Sequence, residues 1–397
     1  MKKAPFRLAI FSFEYFKDTA YSGIATYTHR TSNLLAEAGH HVEIFVASKS
    51  KRQVFTNEHG VKINPIICDN PEEFRKLVVK SFKKRHQVVN FTLLESPEYQ
   101  ALALNVVQEF PDLPLIVRLH TPGFFLSKIE MEYYKLSLFS CFKQRLKKLL
   151  GKNSVYQYIR EHDIEYQITK LATVALSPSQ DLANILRENW QLNNIDVLPH
   201  AFVPNKELLD IPIETDTKTI SFVGKMQYWK GVFILIEVIK KLLPLYPDWN
   251  WRLIGRTLPG QKLVTIEKEL QQIVPTSKRV EYVGMIDNKD LSTYLEETDI
   301  VVIPSYFDNF PLVCLEAMAA GRAIVATNHG GMREMLQGDS FRAGILIEPR
   351  SEVALETAIK SLIENPKLRY KLGQSARERI IDYYDRVVKK ETLKIYQ

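Results

Sequence analysis

The stretch VVIPSYFDNFPLVCLEAMAAGRAIVATNHGGMREML, Val301 to Leu336, decides how the rest of the chain is read. The apolar run Ile300 to Ile303 predicts a buried parallel strand that ends at Pro304–Ser305. A short polar loop, Tyr306 to Asn309, leads into a helix. Pro311 suits its first position, where a missing N–H costs nothing and φ is already helical. The helix carries Leu312, Leu315 and Ala319 and stops near Gly321, where freedom from Cβ sterics is favoured. A second strand, Ala323 to Thr327, precedes the pair Gly330–Gly331. This order gathers polar residues at the carboxyl ends of strands, where open α/β sheets bind ligands.

Two carboxylates carry the chemistry of the stretch: Asp308 before the helix and Glu316 one and a half turns inside it. The amides of Phe310, Pro311's successors Leu312 and Val313, and the helix dipole attract phosphate. A carboxylate one turn further in is placed to accept from sugar or ribose hydroxyls. Phosphate donors beside a hydroxyl acceptor suit a sugar nucleotide. The plain alternative is a solvated Asp and a Glu paired with a neighbouring Lys.

Outward from this stretch, apolar strands alternate with helical segments along most of the chain. Strands are expected at Arg7–Phe13, His41–Ala47, Val61–Ile67, Val88–Leu93, Leu115–Leu119, Thr173–Leu176 and Ile195–Leu198. After a proline-bearing stretch of mixed charge, a second series runs through Ile220–Val223, Trp251–Ile254, Val280–Val283, Asp299–Ile303, Ala323–Thr327 and Gly344–Ile347. Repeated βα alternation predicts doubly wound parallel sheets, and 397 residues suffice for two such domains. The expected division is 1–200, a linker at 201–218, and 219–374, with a C-terminal helix at about 375–397. The segment Gly123 to Lys170 interrupts the rhythm as a mostly helical excursion.

Composition narrows the class. Hydrophobic content of 45% and charged content of 25% are those of a soluble globular protein, and no run approaches 18 apolar residues. The start, MKKAPFRLAIFSF, reads as a first strand and not as a secretion signal. Cys68, Cys141 and Cys314 are odd in number and widely spaced, which fits buried thiols in a reducing cytosol. A net charge of +7 favours an anionic partner, yet no zinc-finger, helix-turn-helix or RNP signature points to nucleic acid.

The stretch from Asp308 resembles the E-x7-E signature of family 4 of the retaining glycosyltransferases (glycosyl transferases group 1). Here it reads D-NFPLVCL-E, then EAMAAGRAIVAT, then GGMRE ending at Glu334, with Asp308 in place of the first Glu. FVGKMQYWKG, Phe222 to Gly231, looks like the family's GR-x4-KG element. Gly224, Lys230 and Gly231 match, and Lys225 stands where Arg is usual, keeping the charge without the bidentate fork. Read by themselves, Lys225 and Lys230 leave a strand end and enter a helix, so both could reach one diphosphate; two surface lysines are the alternative.

Ser22–Gly23–Ile24 resembles the family's GG-[IV] loop near the donor phosphate, with only Gly23 of the glycine pair present. RLHTPG, Arg118 to Gly123, places His120 at a strand end, where the family's histidine contacts the transferred sugar. Ser177–Pro178–Ser179 is a structural landmark by the same resemblance. Leu198 to Pro204 departs from the family pattern, so no chemistry is assigned to His200; Glu98 is read as an acceptor-side residue.

The resemblance implies a GT-B architecture, two Rossmann-like domains facing across a cleft with the last helix returning to the first domain. It implies a retaining transfer from a nucleotide diphosphate sugar to a hydroxyl of a glycan or lipid-linked acceptor, in the cytoplasm. Lys225, Lys230, Asp308 and His120 would act on the reacting groups. Gly23, Gly224, Asn309, Phe310, Pro311, Leu312, Val313 and Glu316 would hold the donor. No cofactor or metal is implied, because protein cations neutralise the diphosphate, and neither Glu214–Thr215–Asp216 nor Glu161–Asp163 makes a metal pair. A sugar-nucleotide epimerase and a non-catalytic nucleotide-sugar binding protein are the rival readings. The basic, apolar-faced segment Phe139 to Lys152 suits a helix lying peripherally on an anionic inner membrane surface, or a helix with one packed face.

Overall fold

The computed structural model describes residues 5–16, 19, 23–51, 53–136, 158–256 and 277–396. The chain divides into two compact units, residues 1–201 with 390–397, and residues 202–389.

The first unit is built on strands β1 (Arg7–Ser12), β2 (His41–Ser48), β3 (Phe55–Thr56), β4 (Lys62–Ile67), β5 (Leu93–Pro97), β6 (Leu115–Arg118), β7 (Val174–Ser177) and β8 (Ile195–Val197). Their order is β3-β4-β2-β1-β5-β6-β7-β8. Every neighbouring pair is parallel except β3 with β4. Both faces of the sheet are covered. Ala9 and Phe11 of β1 belong to one apolar cluster, and Leu8 and Ile10 belong to the other. Alternate side chains of one strand thus feed two cores, as a doubly wound sheet requires.

The second unit carries β9 (Thr219–Val223), β10 (Asn250–Ile254), β11 (Val280–Gly284), β12 (Ile300–Ile303), β13 (Ala323–Thr327), a hairpin of β14 (Gln337–Gly338) and β15 (Phe341–Arg342), and β16 (Ile345–Ile347). The main sheet runs β11-β10-β9-β12-β13-β16, all parallel. Counted from β9, this is the 3-2-1-4-5-6 order of a dinucleotide-binding fold, with its reversal between β9 and β12. Ile300 and Val302 face one core and Val301 and Ile303 the other.

Several expectations are corrected. Val88 does not begin a strand: it lies in the helix Pro71–Val89, which Asn90 ends in the left-handed region at φ 53°. The strand starts only at Leu93. Pro311 is not the first helical residue but the cap before it (φ −68°, ψ 114°), and the helix is Leu312–Ala319. Residues from Phe202 onward belong to the second unit and are not a free linker, because Phe202, Leu208 and Ile211 are buried in its core. The buried Arg322 guanidinium fastens the same stretch. It donates to the carbonyl oxygens of Pro212 and Thr298 and to Thr215 Oγ1. Of the C-terminal run, Pro366–Arg379 and the more widely wound Ile380–Val388 stay with the second unit, and residues 390–397 join the first.

The expected basic helix at Phe139–Lys152, and Cys141 within it, lie outside the described residues. Among the described residues no helix is long and apolar enough to cross a membrane, and no cluster of His, Cys, Asp or Glu is arranged to hold a metal ion.

Candidate active site

In the second unit the strand-order reversal brings two loops together. Chain leaving β9 passes Gly224, whose N–H donates to Ile254 O at 2.9 Å, and the half-buried Lys225. It then makes the short turn Tyr228–Lys230 and enters the helix Val232–Leu242 through Gly231 at φ +71°. A Cβ on Gly231 would stand 2.0 Å from Pro304 O, so only glycine lets the two loops approach this closely. Tyr306 N–H donates across the same gap to Trp229 O at 2.6 Å. The result is a contact between residues far apart in sequence. Lys230 Nζ lies 2.5 Å from Asp308 Oδ2, with both side chains largely buried.

The loop that carries Asp308 is seated from beneath. Thr327 Oγ1 donates to Ser305 O at 2.5 Å, and Gly331 N–H donates to Asn309 O at 2.9 Å. Gly330 adopts φ 63° and ψ −151°, a region essentially reserved for glycine. A Cβ there would fall 2.1 Å from Asp308 O, and one on Gly331 would fall 2.0 Å from Asn309 O. The paired glycines therefore form the floor under Asp308 and Asn309, a role the sequence pattern alone did not disclose.

Beyond Asn309 the chain turns at Phe310, whose ring packs towards Tyr384 with centroids 6.1 Å apart. Pro311, the residue that precedes the helix Leu312–Ala319, offers no side-chain acceptor to cap it, and first-turn amides have no acceptor within a helix itself. Cys314, Leu315, Ala317, Met318 and Ala319 are buried, which fixes the helix rigidly. Glu316 lies half-buried on it. Thus Gly224, Lys225, Lys230, Asp308, Asn309, Phe310, Pro311, Leu312, Val313 and Glu316 all lie on two loops and one helix at the reversal of this sheet.

Gly23 and His120 belong to the first unit. Gly23 opens the helix Gly23–Glu37 and is exposed. His120 follows β6, and its N–H donates to both carboxylate oxygens of Glu98 at 2.8 Å. Glu98, expected on the acceptor side, is instead fully buried and holds backbone. The His120 ring meets the Tyr27 ring edge-on at 5.5 Å and the His200 ring at 5.5 Å. Burial, and then the Arg118 charge, push its pKa down to about 3, so the imidazole is neutral at physiological pH.

His200, to which no chemistry was assigned above, is a partner of the buried Arg118. The guanidinium donates to His200 Nδ1 from Nε at 3.1 Å, and from Nη2 to Leu198 O at 3.0 Å and Pro199 O at 2.8 Å. A guanidinium only donates, so Nδ1 accepts and the ring proton sits on Nε2. Beneath this pair Glu95 accepts from Tyr27 OH at 2.8 Å and from Tyr396 OH. Ser179 caps the helix Gln180–Trp190, in keeping with a structural landmark. Glu95, Arg118, Tyr27 and Tyr396 escaped notice because each stands singly in apolar or mixed surroundings; charges inside the runs LLESP and LIVRL were the available signal.

Comparison with known proteins bears on both units. The signature described as "Glycosyltransferase Family 4" matches residues 21–205, and that described as "Glycosyl transferases group 1" matches residues 206–379. A D-inositol 3-phosphate glycosyltransferase of Corynebacterium diphtheriae is 28% identical over 182 residues, 45% of this chain and 42% of that protein. The match therefore spans less than half the length of that relative. Sucrose-phosphate synthase from Thermosynechococcus elongatus shares the fold at 20% identity, with a TM-score of 0.75 over 98% of both chains. Anabaena HepE, solved in complex with UDP-glucose, does so at 14% identity, with a TM-score of 0.69 over 98% of this chain and 99% of its own. Each of the two signatures falls on one of the two parallel α/β units, together they account for nearly all the sequence, and the chain belongs to the family 4, group 1 glycosyltransferases with the GT-B fold.

Proposed function

We propose that the protein is a retaining, metal-independent glycosyltransferase that moves a hexose-type sugar from a nucleoside diphosphate to a hydroxyl of a glycan or lipid-linked acceptor. The observation that carries this reading is the 2.5 Å contact of Lys230 with Asp308, which lies just before the helix Leu312–Ala319 and its non-capping Pro311. A cation, a carboxylate and first-turn amides at the reversal of a parallel sheet suit a ligand with both phosphate and hydroxyl groups.

In this reading Lys225, Lys230 and the amides at Phe310, Leu312 and Val313 hold the diphosphate. They stabilise the charge it gains as the sugar–phosphate bond breaks. Glu316 accepts from ribose hydroxyls, while Asp308, Asn309 and His120 contact the sugar, and Gly23 lets backbone pass near the donor phosphate. Neutral His120 can donate or accept a hydrogen bond without adding charge beside an oxocarbenium-like centre. The bonding pair leaves with the diphosphate. The acceptor oxygen attacks on the same face, and its proton passes to the departing phosphate oxygen. In this reading the two lysines take the neutralising part that a bound metal would otherwise play.

The test begins with a thermal-shift panel of UDP-, ADP- and GDP-hexoses, since a ligand at a hundred times its Kd adds about 2.7 kcal/mol of stability. The stabilising donor, labelled in the sugar, is then incubated with hydroxyl acceptors in excess EDTA. A new glycoside that keeps the donor's anomeric configuration is the expected product. An epimerised donor would identify an epimerase, and a bound but unchanged donor would identify a binding protein. Loss of turnover in EDTA, restored by magnesium or manganese, would overturn metal independence.

A further inference from the structure

A histidine presented on a loop must be held through its backbone, and here two buried carboxylates do the holding. Glu98 follows β5 and accepts His120 N–H through both oxygens at 2.8 Å. Glu165, in the first turn of the helix Ile164–Leu171, accepts Gln100 N–H through Oε1 at 3.0 Å and Gly123 N–H through Oε2 at 2.7 Å. The loop after β5 and the loop after β6 are thus tied at both ends of the histidine.

The tie works against local strain. Gln100 (φ 62°) and Ala101 (φ 47°) are non-glycine residues in the left-handed region, which costs roughly 1–2 kcal/mol each. Such geometry persists only where the surroundings over-determine it. Glu98 is 0% exposed and Glu165 is 5% exposed. Two carboxyl groups buried this deeply are costly, and a fold needing only packing would be served better by apolar side chains. What an ionised carboxylate alone supplies is acceptor capacity on both oxygens, complete for Glu165 above its raised pKa of about 7. A glutamine at either position would turn an NH₂ towards a backbone N–H.

We propose that Glu98 and Glu165 are positioning residues, a carboxylate clamp on the amides of His120, Gln100 and Gly123 that sets where the His120 imidazole stands during transfer. The proposal rests on the reading of His120 as a sugar contact. The hydrogen bonds of the two carboxylates run to backbone amides, while the ring meets Tyr27 and His200.

The experiment is a double-mutant cycle between His120→Ala and each of Glu98→Gln and Glu165→Gln. It is run on the full chain with the nucleotide sugar that stabilises it most, and reads nucleoside diphosphate release. Each glutamine variant is expected to lower kcat about tenfold with donor KM within twofold of wild type. Each should do almost nothing further in the His120→Ala background. Amide exchange at His120 should quicken at least tenfold in Glu98→Gln, a readout independent of turnover. If Glu98→Gln fails to fold, Glu165→Gln, read at the Gly123 amide, carries the same test. Losses that add fully to that of His120→Ala, or unchanged amide exchange, would overturn the clamp alone. An unchanged kcat in His120→Ala itself would overturn the sugar-contact reading and the clamp's role in transfer together.

Discussion

Lys230 and Asp308, seventy-eight positions apart, form an ion pair of 2.5 Å between the loops that follow β9 and β12. Lys230 is the cation assigned to the leaving diphosphate, so its charge is already engaged before a donor arrives. In the proposed reading, donor binding would exchange one anionic partner for another and release Asp308 to meet the sugar.

That exchange has a testable signature. Asp308→Asn leaves Lys230 without its counter-ion, and binding of UDP alone should tighten about three- to tenfold, the scale of one partly exposed ion pair. Lys230→Ala should instead weaken UDP binding and lower kcat by about a hundredfold. Calorimetric titration with UDP distinguishes the two, and weaker binding by Asp308→Asn would count against the exchange.

Glu316 should behave differently from Lys230. Ribose hydroxyls do not change during transfer, so Glu316→Gln should mainly raise donor KM, the mark of interactions equal in ground and transition states. Because Glu316 lies half-buried on a core helix, the variant must first melt like wild type. A collapse of kcat at saturating donor, with KM unchanged, would reverse the assignment.

Glu165 gives a prediction in pH. Burial raises its pKa from 4.5 to about 7. The folded protein therefore holds a proton that the unfolded chain has released, and stability falls as pH rises from about 4.5 to about 7. The contribution is complete below the unfolded value and gone above the folded one; it amounts to on the order of 3 kcal/mol. Denaturant titrations at pH 5 and pH 8 should show Glu165→Gln losing that slope relative to wild type. A wild-type-minus-variant difference constant with pH would refute it.

Gly330→Ala should be among the costliest single-methyl changes in the second unit. It combines a glycine-only backbone with a Cβ placed 2.1 Å from Asp308 O. The loop must either strain or lift Asp308, so a loss of roughly 2 kcal/mol or more and reduced turnover are expected together. A wild-type melting curve would show that the floor is softer than its geometry indicates.

The repeated strands were legible because buried parallel strands are short apolar runs, and β9, β12 and β13 stand out as such. Lys230 and Asp308 were legible singly through their motifs. Their pairing was not, since it depends on which strand ends the sheet sets side by side. Val88 and Val89 misled because a helix packed on one face can end in the same β-branched residues that begin a strand. Glu98, Glu165 and Arg322 were opaque for a further reason. Each satisfies backbone groups distant in sequence, and nothing in the local spacing around LESPEY, DIEYQI or AGRAIV reports which amide or carbonyl lies across the fold.

Tyr396 has a consequence for how the molecule comes into being. Its hydroxyl donates to Glu95 in the core of a unit made of residues 1–201 and, from the far end of the chain, 390–397. On the ribosome residues 1–201 emerge first, and the whole of the second unit must be synthesised before Tyr396 exists. Until then the Glu95 carboxyl, which burial drives towards its neutral form, has Tyr27 as its hydroxyl donor and not Tyr396. The unit made before the other is therefore finished after it, and a translational pause after Ala201 would hold it without Leu393, Ile395 and Tyr396 in its core.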